Sequence, residues 1–200
     1  MKAMKKIIIS AIAVFTLLPL MAQNAPVVQT KKDRMLSITD SYIKFTDKDL
    51  PKFDMVGIFL PRTKVRKVEN KKETMYFYLV ETQAATADVS GNLMGKIATK
   101  TGGKENIDWQ WIEASDVVAI NAALAKFKVE AEKDCAAGKS YIEQSYFTAE
   151  GFSVGYRVVD GKAAWFIKMS PKDPEIMSKT GDNIIEAFAN AQKEIEALKK

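Results

Sequence analysis

The stretch Ser41-Tyr-Ile-Lys44 sets a hydroxyl three residues before an amine, and Lys100-Thr-Gly102 and Lys179-Thr-Gly181 add a second short pattern. Together with Ser-Asp-Asn, these patterns belong to serine acyl-transfer chemistry, where a lysine one helical turn away takes the nucleophile's proton. The third pattern is missing, since Ser115-Asp116 is followed by Val117. Residues 35–45 are rich in β-branched and aromatic side chains and predict a strand, on which positions i and i+3 face opposite ways. The hydroxyl–amine pair is therefore not expected to assemble.

The chain has no histidine and one cysteine, Cys135. That excludes imidazole acid–base catalysis, Ser-His and Cys-His nucleophile pairs, nearly all zinc sites and an internal disulfide. Paired carboxylates are a matter of spatial separation, and Glu143, Glu150 and Asp108 are the acids to inspect. In the glycine-bearing segment 83–106, Gly91-Asn-Leu-Met-Gly95-Lys96 has three residues between glycines where a phosphate loop needs four. Asp88, Ser90 and Asn92 begin like a calcium loop, but Leu93 and Thr99 stand where glycine and glutamate are required. These tests assign no catalytic residue, no metal ligand and no cofactor.

Four residues remain as candidate ligand contacts. Trp109 and Trp111 share one side of an extended Asp108–Ile112 and could stack on a sugar or peptide, or else plug the core. Phe166 and Arg157 lie on the second face of a hairpin, where Phe166 opposes Gly155. The basic run Arg62-Thr-Lys64-Val-Arg66-Lys67 is the densest cationic cluster; as solvated strand and turn positions it needs no anionic partner.

The elements that must position these residues follow from periodicity. Val65–Val68 and Thr74–Glu81 predict a hairpin around a short polar loop, its second strand apolar on both faces and so covered twice. Met55–Leu60 predicts an apolar strand, and 47–54, with Pro51, a turn. Val117, Ile120, Leu124, Phe127, Ala131 and Cys135 form one helical stripe over about 116–137, capped by Ser115 or Asp116 and ended by Gly138. Strands follow at 140–147, 152–159 and 162–169. Asp160-Gly161 favours a two-residue type I′ turn, which sets Val159 opposite Lys162 and Tyr156 opposite Trp165. A last helix over about 182–199, capped by Asp182 or Asn183, carries Ile184, Ile185, Phe188, Ala191, Ile195 and Leu198. The expected fold is α+β: one antiparallel sheet of six to eight strands with two long helices packed on one face. Ser41-Tyr-Ile43 and Ser140-Tyr-Ile142 introduce similar orders of strands and a helix, suggesting repeat halves at about 35–137 and 138–200.

Residues 1–22 combine Lys2, Lys5 and Lys6 with a short apolar run ending in Ala22. This is the pattern of a signal peptide cleaved after Ala22, which predicts a periplasmic or secreted protein with one domain over 23–200 and no membrane span in the mature chain. The whole chain has a formal charge of +5, and the leader contributes three lysines and no acid. The remainder is nearly balanced, which argues against a nucleic-acid partner. The sequence thus leads to an exported, non-enzymatic binding module for a protein, peptide or glycan. The alternative is a small envelope or secreted hydrolase using carboxylates or a Ser/Lys pair.

Overall fold

The computed structural model describes residues 29–57, 60–82 and 108–200. The predicted signal peptide and the glycine-bearing segment 83–106 lie outside the described residues.

The architecture is α+β, with strands in two antiparallel sheets of four rather than in one large sheet. The first sheet holds β1 (Lys44–Leu50), β2 (Thr63–Glu69), β3 (Thr74–Glu81) and β4 (Trp109–Glu113), in that order. It leads into α2 (Ala114–Ala136). The second holds β5 (Ile142–Phe147), β6 (Ser153–Val159), β7 (Lys162–Lys168) and β8 (Ile176–Met177), followed by α3 (Gly181–Leu198). A short helix, α1 (Lys31–Leu36), precedes the first sheet, so the described residues contain three helices where two long ones were expected. The segment between β1 and β2 reaches the end of β8 through an isolated bridge between Met55 and Ser178, with the Val56 amide donating to the Met177 carbonyl at 2.7 Å. Met55 belongs to neither sheet, so this bridge does not merge them.

Each sheet is followed by a helix, and the helices are shared. The α3 helix lies on β2 and β3 of the first sheet, while α2 covers β5, β6 and β7 and also touches β3 and β4. The helices pack on one another between the sheets. Phe53, Tyr78 and Ile112 therefore share one core with Phe152, Tyr156, Ile167, Phe188 and Ile195. Tyr78 meets Phe188 edge-on at 5.3 Å, and Phe127 meets Tyr156 at 5.8 Å. Such ring pairs add to the area they bury.

β3 is apolar on both faces because it serves two clusters. Tyr78 and Val80 point into the main core, whereas Met75, Phe77 and Leu79 join Met35 and Val68 on the opposite face. The Asp160-Gly161 turn has φ of 50° and 72°, as a type I′ turn requires, and it sets Val159 opposite Lys162 and Tyr156 opposite Trp165.

Several local expectations are corrected. Residues 31–36 are helical, with the Thr30 hydroxyl accepting from the Asp33 amide, and the strand begins only at Lys44. Of the strand expected over 55–60, Met55 makes a single bridge, to Ser178, and residues 58 and 59 lie outside the described residues. β4 runs straight into α2, so Glu113 occupies the cap position in place of Ser115 or Asp116. Thr180 caps α3 in place of Asp182 or Asn183, accepting from the Asn183 amide. Gly138, at φ 62°, follows the end of α2 as a left-handed stop.

Candidate functional site: the outer face of the first sheet

Strand alternation sends Lys64, Arg66 and Val68 of β2 to the face opposite the main core. Registry aligns them with Asp49, Asp47 and Phe45 on β1 and with Leu79, Phe77 and Met75 on β3. On β4, Trp111 pairs with Leu79 and Trp109 with Glu81. Both tryptophans thus lie on this outer face, partly buried against the Met35–Phe77 cluster. Trp111 meets Phe77 edge-on at 5.2 Å. The Asp108 carboxylate accepts from the Trp109 amide at 2.9 Å and fixes the strand's entry.

Cations are laid across these rings. Lys64 Nζ stands 4.4 Å from the centre of Trp109. The Arg66 guanidinium lies 5.0 Å from Phe45 and 5.1 Å from Trp111, and Lys32 Nζ lies 5.5 Å from Trp111. Each such contact is worth about 0.5–1 kcal/mol where water has access. Asp47 holds two of the cations in place. Its carboxylate accepts from Arg66 Nε and Nη2 at 2.6 and 2.7 Å and from Lys64 Nζ at 2.7 Å. The Arg66 hydrogen bond is the main reason its pKa is lowered, with Lys64 adding to the effect against partial burial. A forked guanidinium–carboxylate pair has a fixed geometry. Arg66 still has Nη1, and Lys64 has further protons, without a hydrogen-bond partner among the described residues.

The helix α1 closes one end of this face. Met35 is fully buried on Val68, Met75 and Phe77, and Arg34 and Lys31 reach Glu73 and Glu113. Beyond it, Phe45 is 47% exposed. The result is a shallow platform of aromatic rings and oriented cations.

The two other predicted contacts are on the second sheet. Phe166 faces away from the main core and opposes Gly155, as expected, but is only 1% exposed. Arg157 lies 6.0 Å from the Phe166 ring and forms an ion pair with Glu175, so its charge is matched locally. The structure brings Trp109 and Trp111 together and keeps Phe166 and Arg157 apart from them. Sequence reading missed Phe45, Asp47 and Lys32 as neighbours of the tryptophans and treated Lys64 and Arg66 as solvated. The signal was available in the two-residue spacing of Lys64 and Arg66 on a strand with alternating burial.

The other chemical candidates are placed as follows. The Ser41 hydroxyl donates to the Tyr42 carbonyl, and Lys44 pairs with Glu69, so no Ser/Lys pair is assembled. Glu143 is on β5, hydrogen-bonded to Tyr141 and Ser145. Glu150 sits in the turn after β5, where burial raises its pKa against the pull of Lys32. Cys135 is partly buried against the main core. Among the described residues no group of His, Cys, Asp and Glu could hold a metal ion, and no helix is long and apolar enough to cross a membrane. Comparison with protein-family models, curated proteins and solved structures finds no match.

Proposed function

We propose that this chain is an exported, non-enzymatic binding module whose outer first-sheet face holds an extended acidic ligand, a glycan or peptide of the envelope or secreted space. The observation that carries the reading is the Phe45–Arg66–Trp111 stack beside the Lys64–Trp109 pair, with both cations oriented by Asp47. Ring faces and edges suit sugar or side-chain stacking. Cations already fixed by a carboxylate lose little further freedom when they meet an acidic group. A shallow face with bases held on rings suits retention of a chain better than enclosure of a reacting bond.

The test is a thermal-unfolding and intrinsic-fluorescence titration of residues 23–200 with acidic and neutral oligosaccharides and peptides. Trp165 is buried, so ligand-induced changes report mainly on Trp109 and Trp111. A ligand at a hundred times its dissociation constant adds about 2.7 kcal/mol to stability. The expected result is stabilisation by acidic chains that weakens with salt and is lost in Trp109→Ala/Trp111→Ala. Stabilisation that persists in that double variant would place binding elsewhere.

A further inference from the structure

Among the described residues the two sheets present four strand edges, and these are protected unequally. An open edge offers unpaired amides and carbonyls to any other strand, and charge is the usual deterrent. β1 carries Lys44, Asp47, Lys48 and Asp49 along its seven residues. β8 is two residues long and takes the Met55 bridge. β4 ends at Glu113, which α1 engages through Lys31. β5 is different. Among the described residues it pairs only with β6, and its six residues, Ile-Glu-Gln-Ser-Tyr-Phe, include one charge. Tyr141 precedes it and Phe147 ends it, at 59% and 62% exposure, and Phe147 is the most exposed large apolar residue among those described.

We propose that β5 is a self-association edge, and that its partner is β5 of a second copy of this chain. The polarity of Tyr141–Phe147 is symmetric about Gln144, with aromatic ends, then large apolar residues, then polar ones. Antiparallel pairing centred there sets Tyr141 opposite the partner's Phe147 and Glu143 opposite the partner's Ser145 on the outer face. On the core face it sets Ile142 opposite the partner's Tyr146. Opposed residues share a face in an antiparallel pair, so each match is side by side. Two aromatic pairs, two carboxylate–hydroxyl pairs and two aliphatic–aromatic pairs result, with no like charges opposed. Ile142 and Tyr146 are only partly buried in the single chain, and a second copy completes their cover. The second sheets of two copies then form one continuous sheet of eight strands.

The test is the mass of residues 23–200 by sedimentation across a dilution series, with a charge swap at the seam. The parent is expected to reach twice its monomer mass. Ser145→Glu opposes two pairs of carboxylates and should weaken association at least tenfold. The combination Glu143→Lys with Ser145→Glu opposes unlike charges and should restore the dimer. Phe147→Ser alters only an exposed side chain and should also weaken the dimer, a check that holds even if Ser145→Glu disturbs folding as judged by circular dichroism. A parent that stays monomeric up to ~1 mM overturns the proposal, since pairing weaker than that has no standing at cellular concentrations. So does a dimer whose mass ignores the Ser145→Glu and Phe147→Ser changes in folded protein.

Discussion

Replacing Gly155 with alanine tests how closely β5 and β6 approach. A β-carbon built at Gly155 stands 2.1 Å from the Gln144 carbonyl oxygen, 2.8 Å from Ser145 Oγ and 2.9 Å from Ser145 Cα. Two of these are backbone atoms and cannot rotate aside, so β5 must move outward. Overpacking in a well-filled region costs about 1–3 kcal/mol, and a clash against backbone belongs at the top of that range. At roughly 2–4 °C per kcal/mol for a domain of this size, Gly155→Ala should lower the melting temperature by about 6–12 °C. Gly138→Ala provides the contrast. Its β-carbon meets nothing within 4 Å, and only its positive φ is penalised, at roughly 1–2 kcal/mol. Hydrogen exchange separates the mechanisms, because only Gly155→Ala should deprotect the β6 amides that pair with β5. A Gly155→Ala protein that melts within about 2 °C of the parent with those amides still protected would refute the close-approach argument.

Other expectations follow from the same geometry. Trp111→Ala removes a half-buried ring from the Phe77 and Arg66 contacts and should cost about 2 kcal/mol by chemical denaturation, below the range for fully buried aromatics. Asp47→Asn should cost about 0.5–1 kcal/mol at neutral pH. The lowered Asp47 pKa makes its contribution present above about pH 4 and lost as pH falls through the folded value, so the difference from the parent should fade in acid. Glu150 behaves oppositely, because burial raises its pKa and its stability deficit grows as pH rises from the ordinary carboxylate range through the folded value. Glu150→Gln should therefore melt higher than the parent at pH 7 and equal to it in acid. Fragments 29–138 and 139–200 should each lack cooperative unfolding and should regain it on mixing, read by near-ultraviolet circular dichroism.

What the sequence revealed and what it concealed differ in range. Asp160-Gly161 sits between two alternating strands, so local turn chemistry was enough to fix the β6–β7 register to the residue. The stripes of α2 and α3 and the two-faced character of β3 were equally local. β1 was hidden because Lys44, Asp47, Lys48 and Asp49 leave it without an apolar face, and its charges resemble a turn before Pro51. The reverse happened at Met55, where apolar composition suggested the opening of a strand and the described residues show one bridge. Division into two sheets depends on which strands find hydrogen-bond partners across long separations, and periodicity carries no information about that. The same limit applied to the platform: Lys64 and Arg66 were visible as alternating cations, but their meeting with Trp109 and Trp111 required the β2–β3–β4 order.

The sharing of helices between sheets has a consequence for the chain as it is made. All four strands of the first sheet have been synthesised by Glu113, yet the helix that lies on β2 and β3 ends at Leu198. At ordinary synthesis rates, the Tyr78 side of that sheet waits roughly 5–15 s for its cover. During that interval the part of this face that α2 does not reach is a sticky surface still lacking its native cover, and a holding chaperone would have its natural target there. It also means that a stop codon at Gly181, the start of α3, would strip the roof from the first sheet and leave the second comparatively well covered by α2.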